Sequence, residues 1–242
     1  MTLKGQYIRN EQVFSSAMKM ALDETLAQKA HETNTVTLRF YSFVKPSIVL
    51  GYFQKPEEEI YLEKLKKDNI EIVKRLTGGG AVYKDPKEEI NYSITLPENL
   101  THKDILKSHE HLNSAIVSAL KKHNLNATHH GINDILVDNQ KISGNAQTRL
   151  NKGVLHHGTL LFDFDFNSMK KYLNISPEKR NDPNRKEVGK LNISKQQIMQ
   201  DIKTEFEILL KIKLHDDHYD ETTLKQSLTK IHKYKDEKWI GL

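Results

Sequence analysis

The densest chemistry in the chain sits in KRLTGGGAVYKD, Lys74 to Asp85. Two adjacent cations lead into three consecutive glycines, and those three come from only eleven in 242 residues. A turn is satisfied by one or two glycines, and each loses more backbone entropy on folding than any other residue. Three in a row therefore point to close approach. Backbone without side chains lets a ligand rest directly on N–H groups, which suit phosphate oxygens. Arg75 adds a planar fork for phosphate or carboxylate, and Lys74 a point charge. The loop is not a Walker loop, because G-x-x-x-x-G-K-[ST] occurs nowhere, and a G-x-G-x-x-G dinucleotide fingerprint is also missing. Taken alone, it leaves both a structural turn and a nucleotide cradle open.

A second constellation is KISGNAQ, Lys141 to Gln147. Strand alternation puts Lys141, Ser143 and Asn145 on one face and Ile142, Gly144 and Ala146 on the other. One lysine among small residues leaves open space around its ammonium, which a ligand would fill. An exposed lysine beside a hairpin turn accounts for the same residues. Upstream, Asn133 and Asp134 start a strand; downstream, HHGTLL sends His156 and His157 to opposite faces. The twelve histidines, with HEH at 109–111 and HH at 129–130, raise the question of metal. No H-E-x-x-H occurs, no cysteine can share the work, and adjacent strand residues point apart, so a structural zinc site is not expected. A serine hydrolase is disfavoured because no G-x-S-x-G elbow is present.

These residues must be held by something. Apolar spacing over 14–32, including Met18, Leu22 and Leu26, predicts a helix. VTLRFYSF and SIVLGYF read as strands separated by a turn at VKP. The segment 56–69, with proline and acids first and lysines last, predicts one helix. IEIVKRL, AVYK and INYSITL are strands, 105–124 is a helix with a strong apolar stripe, and 133–166 reads as three strands joined by tight turns at DNQ and NKG. From Asn167 to Leu242 a helical, lysine-rich segment is expected, with a loop at SPEKRNDPNRKEVGK. Adjacent hairpins mixed with helices predict an α+β fold, a mixed and largely antiparallel sheet packed by helices, in a single domain over 1–242.

Composition narrows the function classes. Without cysteine the chain has no disulfide, thiolate metal site or cysteine nucleophile. The formal charge of +5 is a mild lysine excess over a mixed surface, which favours solubility over nucleic-acid binding. The N-terminus lacks an apolar signal stretch and no run approaches a membrane span, so a cytoplasmic protein without a membrane partner is expected.

Together, KRLTGGGAVYKD, then NDILVDNQKISGNAQ about fifty residues on, then HHGTLL, resemble the lipoate–protein ligase A family, in this order along the chain. The motifs cover Met18 to Phe162, and the closing EKWIGL is similar to the end of the family's catalytic domain. The resemblance implies the fold of the biotin protein ligase catalytic domain. It also implies a two-step reaction: ATP and lipoic acid give lipoyl-AMP and pyrophosphate, and the lipoyl group then passes to a lysine of a lipoyl domain (an E2 subunit) or an H protein. On this resemblance Lys141, which matches the lysine of a G-x-K-[IV]-[SA]-G-x-A signature, is the catalytic residue. Arg75, Thr77, Gly78, Gly79, Gly80, Ala81, Val82, Tyr83, Asn133, Asp134, Ser143, Gly144, Ala146, His157 and Gly158 contact the ligand, and Asp134 lies near the magnesium ion. The strands after Tyr52 and around Ile94 would line a dry groove for the acyl tail.

The chain departs from the family at Lys74, where a second arginine is usual, at Lys84, where a histidine is usual, and at Gln140, where a small residue is common. Single-chain bacterial relatives carry a further C-terminal domain. The resemblance is therefore to the split archaeal form, in which a small separate subunit supplies that domain. An octanoyl or lipoyl transferase working through a cysteine thioester is the nearest alternative, disfavoured by the lack of cysteine. A non-catalytic subunit that binds lipoate or an acyl-adenylate is the other.

Overall fold

The computed structural model describes residues 2–9, 14–86, 89–163, 166–175 and 187–242. Its largest element is an eight-stranded mixed sheet. The strands in chain order are β1 (Lys4–Ile8), β2 (Thr35–Tyr41), β6 (Glu89–Pro97), β7 (Ala127–His130), β8 (Asp134–Val137), β9 (Gln140–Leu150), β10 (Gly153–Leu161) and β11 (His215–Asp216). Across the sheet the order is β11-β1-β2-β6-β10-β9-β8-β7, with only the two ladders of β1 parallel. A second, three-stranded sheet, β4-β3-β5, is made from β3 (Ser47–Leu50), β4 (Glu71–Lys74) and β5 (Val82–Lys84).

The two hairpin turns expected at DNQ and NKG carry paired left-handed residues, Asp138 and Asn139 at φ 49° and 65°, and Asn151 and Lys152 at φ 50° and 61°. This is the backbone of a two-residue turn whose twist matches the flanking strands. The β9–β10 pairing that follows fixes which side chains share a face.

One face of the large sheet is apolar. Ile90, Tyr92, Ile94 and Leu96 of β6 pack under α4 (Ile105–Lys121), through Leu112, Ile116 and Leu120, and under α6 (Lys195–Leu210), through Ile198, Ile202 and Phe206. Each such fully buried side chain contributes on the order of 2 kcal/mol. The two helices are capped by Asp104 and Ser194, whose side chains accept from the amides of Lys107 and Gln197.

The other face is polar and carries α1 (Ser16–Ala30), which lies between the sheet and α7 (Glu221–Lys235). The apolar spacing over 14–32 gives a helix as expected. It is buried nearly all round, however, so its polar side chains must find partners inside the fold. Glu24 accepts from Tyr234 at 2.6 Å and from Lys233 at 3.1 Å, which ties α7 down. Trp239 of α8 (Glu237–Ile240) donates to the Lys74 carbonyl at 2.9 Å, just before the glycine loop.

The helix expected over 56–69 is two pieces, α2 (Pro56–Glu59) and α3 (Leu62–Lys67). Ile60 between them is extended, bridges Leu173 after α5 (Phe166–Tyr172) and is buried. Burial of that apolar side chain against a neighbouring segment overrides the local helical preference. β1, β7 and β11 had no strong sequence signal, being short and polar-bearing. Residues 176–186 of the expected loop lie outside the described residues. Among the described residues no helix is long and apolar enough to cross a membrane.

Candidate active site

A cavity of about 330 Å³ opens between the two sheets, on the polar face of the larger one. Its floor is a row of neighbouring residues across four strands: Asp134 of β8, Gly144 of β9, Thr159 of β10 and Asn91 of β6. Its roof is the glycine loop running into β5.

Lys141 reaches this floor because β9 is irregular. Asp134 pairs with Gly144 and Ile135 with Ser143, but Leu136 pairs with Lys141, so Ile142 is an extra residue opposite the Ile135–Leu136 step. A bulge of this kind re-aims a side chain. Regular alternation, which placed Lys141, Ser143 and Asn145 together, therefore fails here. Ile142 and Ser143 are both buried towards the apolar core, and Lys141 shares the cavity face with Gly144. A Cβ on Gly144 would lie 3.2 Å from the Lys141 ammonium, so the glycine makes the passage for it. The ammonium pairs with Asp134 at 2.7 Å, and both side chains stay partly exposed to the cavity. On its outer side, Lys141 is held by backbone bonds to Glu187 and Gly189.

Asn133 and Asn145 lock the same corner. Each donates its side-chain amide to the other's carbonyl, at 2.7 and 2.9 Å. Asn145 also accepts from the Tyr92 hydroxyl. Gly158 lies between those two groups, and a Cβ there would run into both.

The glycine loop is built around Arg75, which is not the free fork expected from the sequence. Four of its N–H groups are used internally: to Thr77 Oγ1 at 3.0 Å, Val49 O at 3.2 Å, Gly78 O at 2.7 Å and Gly80 O at 2.9 Å. Burial lowers its pKa to about 10. Arg75 touches the cavity but acts mainly as the loop's frame. The three glycines differ. Gly79 has φ +94° and its Cβ would sit 2.9 Å from Arg75 Nη2, whereas a Cβ on Gly80 would meet nothing within 4 Å. Gly51, not singled out by the sequence, is needed because a Cβ there would strike the Gly79 carbonyl.

Behind the loop runs a chain of buried polar groups. Thr77 Oγ1 lies 2.7 Å from His157 Nε2, His157 Nδ1 lies 3.0 Å from Asp23 Oδ2, and Asp23 lies 3.4 Å from Arg39. Burial raises the Asp23 carboxyl, but Arg39 and the His157 hydrogen bond outweigh it and hold it below its usual range. Burial pushes His157 down. His156 faces the other way, to Asn113 of α4 at 3.1 Å, as alternation requires.

At the floor's β6 end stands a second lysine. Lys84 bonds Asn91 at 2.7 Å and Thr159, and lies 3.5 Å from Glu89. Burial pushes Lys84 down and Glu89 up. Apolar side chains complete the wall: Met20, Tyr41, Phe43, Val49, Val82, Leu161, Met169, Leu173 and Ile175.

Of the residues predicted from sequence, Arg75, Gly79, Gly80, Ala81, Val82, Tyr83, Asn133, Asp134, Lys141, Gly144, Ala146, His157 and Gly158 meet around this one cavity. Thr77, Gly78 and Ser143 lie outside its wall. Thr77 is turned inward to His157, Gly78 lies beside Phe53, and the bulge buries Ser143. Of the strands expected to line an acyl groove, β5 and β6 reach the cavity through Val82, Tyr83, Lys84, Glu89 and Asn91, whereas Ile94 itself faces the opposite core and Tyr52 is an exposed side chain outside the cavity. Asp23, Arg39, Glu89, Asn91 and Thr159 were missed. A charged residue within an apolar helix stripe (Asp23) and one within a strand of apolar and β-branched residues (Arg39) were the available signals.

A cavity with a cation at its floor, a glycine-framed backbone over it and an apolar wall suits a ligand with an acidic head and a greasy tail. Residues 15–207 match the lipoyl protein ligase A/B catalytic domain, and the chain belongs to that family. It is 34% identical over 173 residues to a probable lipoate-protein ligase A of Mycoplasma genitalium, covering 72% of this chain and 51% of that protein. It is also 34% identical over 184 residues to the octanoyltransferase LipM of Clostridioides difficile, covering 66% of each. The chain thus spans about half the length of the first of these relatives and two thirds of the second. Among solved structures, the bi-partite lipoate protein ligase of Thermoplasma acidophilum superposes with a TM-score of 0.87 at 27% identity over 100% of this chain and 98% of that one. A lipoate-protein ligase A bound with ATP gives 0.85 at 26%, covering 99% and 100%. A T. acidophilum protein with bound lipoic acid gives 0.83 at 25%, also covering 99% and 100%.

Proposed function

We propose that the protein is an ATP-dependent lipoate–protein ligase. The observation that carries this reading is the bulge at Ile142, which turns Lys141 over Gly144 into a cavity roofed by the glycine loop. A lipoate carboxylate oxygen attacks the α-phosphorus of ATP, the bond to pyrophosphate breaks, and lipoyl-AMP forms. A lysine amine of a lipoyl domain or H protein then attacks the acyl carbonyl. The bond to AMP breaks and the amine sheds a proton as the amide forms. The Lys141 ammonium stabilises the charge that builds on the α-phosphate and later on the carbonyl oxygen. Asp134 aims that ammonium through the 2.7 Å pair. The apolar wall takes the acyl chain, and outward-facing backbone of the loop takes phosphate oxygens.

Magnesium commonly needs only one or two protein carboxylates beside substrate phosphates, and Asp134, partly exposed in the cavity wall, is such a donor. Bound on the nucleotide, the ion would neutralise phosphate charge. The ATP-bound and lipoic acid-bound relatives support these ligands. The T. acidophilum relative is described as bi-partite and studied with its E2 lipoyl domain, which supports a separate small subunit and a lipoyl-domain acceptor here as well.

The octanoyltransferase relative favours a second reading, acyl transfer from a carrier without ATP. A thioester route through cysteine has no nucleophile in this sequence. Pyrophosphate release separates the two. The ligase reading expects release from ATP and magnesium that depends on free lipoate. Acyl transfer from octanoyl carrier protein with no pyrophosphate would overturn it.

A further inference from the structure

We infer that Asp23 and His157 are positioning residues: backed by Arg39, they fix the Thr77 hydroxyl, Thr77 fixes Arg75, and Arg75 holds the glycine loop with its amides presented to the ligand. The inference rests on the loop being the ligand's cradle, as proposed above.

The direction of the chain is set from its Asp23 end. The Asp23 carboxylate beside Arg39 only accepts, so His157 Nδ1 carries a proton and donates it to Asp23 Oδ2 at 3.0 Å. In the neutral ring Nε2 is then bare, and at 2.7 Å it accepts from the Thr77 hydroxyl. Thr77 Oγ1 in turn accepts from Arg75 Nε, which carries a hydrogen and no lone pair, at 3.0 Å. Asp23 is 3.4 Å from the buried Arg39 guanidinium, which stacks over Tyr41 at 4.3 Å. Each link is buried, so a mismatched donor or acceptor is costly.

The consequence falls on the loop. The Arg75 Nη2 group donates to the carbonyls of both Gly78 and Gly80. A trans peptide is planar, so its N–H points opposite to its C=O. Fixing those two oxygens on Arg75 turns the N–H groups of Gly79 and Ala81 away from it, and both residues line the cavity. Groups on α1, β2, β10 and the segment after β4 thus set the orientation of two amides.

The chain requires neutral His157. The charged or titratable groups facing it are Asp23 from α1, Arg39 from β2 behind Asp23, Arg75 after β4 and Lys84 from β5. Burial and the cations lower its pKa, while Asp23 raises it. A buried cluster that served only stability would have the same contacts, so the test needs a readout that stability does not move.

Thr77→Val keeps the shape of the side chain and removes the hydroxyl, whereas Thr77→Ser keeps the hydroxyl. In the full chain without ligand, we expect Thr77→Val to raise amide hydrogen exchange at residues 77–81 by about tenfold or more, and Thr77→Ser to restore protection. ATP affinity by calorimetry should fall in Thr77→Val by about tenfold, the usual scale for losing an outer supporting bond. Nitrogen NMR should show His157 protonated at Nδ1 and bare at Nε2 in the wild type. In Asp23→Asn, whose amide can donate to Nδ1, this tautomer should reverse. Exchange within twofold of wild type in Thr77→Val, or a His157 bare at Nδ1 in the wild type, overturns the positioning chain. Should the wild type bind no ATP, the ligase reading fails, and the exchange and tautomer results still decide the chain.

Discussion

Replacing Gly80 and Gly79 by alanine, one at a time, separates a glycine run kept for turning from one kept for close approach. At Gly80 a Cβ meets nothing within 4 Å, and the residue does not have a left-handed φ. Alanine there should therefore stabilise the empty protein by about 0.4–1 kcal/mol, through the smaller entropy of the unfolded chain. In a chain of this size that raises Tm by roughly 1–4 °C. Gly79 is the opposite case, with φ +94° and a Cβ 2.9 Å from Arg75 Nη2. Strain of this kind costs about 1–3 kcal/mol, so Tm should fall by several degrees. Ligand binding should not follow stability. Gly80→Ala adds a methyl to a residue of the cavity wall, where backbone is proposed to touch the ligand. Turnover should drop about a hundredfold, the scale of a displacement near 1 Å at a reacting centre. Thermal melts beside calorimetry with ATP and lipoate read both quantities. A Gly80→Ala protein with wild-type affinity and turnover would refute the close-approach argument. A raised Tm in Gly79→Ala would refute the strain argument.

Lys141→Ala should lower adenylation by about a hundredfold or more, with Tm nearly unchanged, because its ion pair with Asp134 is partly solvated; turnover within a few-fold of wild type, in a steady-state assay, would remove it from the mechanism. Lys84→Met should cost about 3–5 kcal/mol in denaturant unfolding by leaving Glu89 buried and unpaired, and adding Glu89→Gln should recover most of it. His109 and His156 have pKa values lowered by burial. The folded state then binds fewer protons than the unfolded one, so stability is intact above about pH 6.5 and declines as pH falls below it. A Tm that is flat between pH 7 and pH 5 would contradict that.

The sequence was readable where one local rule decided the outcome. Paired turn residues at 138–139 and 151–152 gave the β8–β9–β10 meander, and alternation along it separated His156 from His157. Motif order picked out most of the cavity wall. Reading failed where a tertiary contact overrode the local rule. Burial of Ile60 split a helix, and one extra residue in β9 moved Ser143 into the core and Lys141 out of it. Arg75 was misjudged for a similar reason: a guanidinium before three glycines reads as a ligand fork, and only the folded loop shows its donors spent on carbonyls. Asp23 and Arg39 are distant from the motifs in sequence and meet His157 only because α1 crosses the polar face of the sheet.

The most direct measurement is the intact mass of a lipoyl-domain acceptor after incubation with this chain, free lipoate and magnesium, with and without ATP, and with and without a second small subunit. The acceptor should gain one lipoyl group only when ATP is present, with lipoyl-AMP detectable when the acceptor is left out. Modification that proceeds equally without ATP, or none under any of these conditions while ATP and lipoate both bind, would contradict the ligase reading.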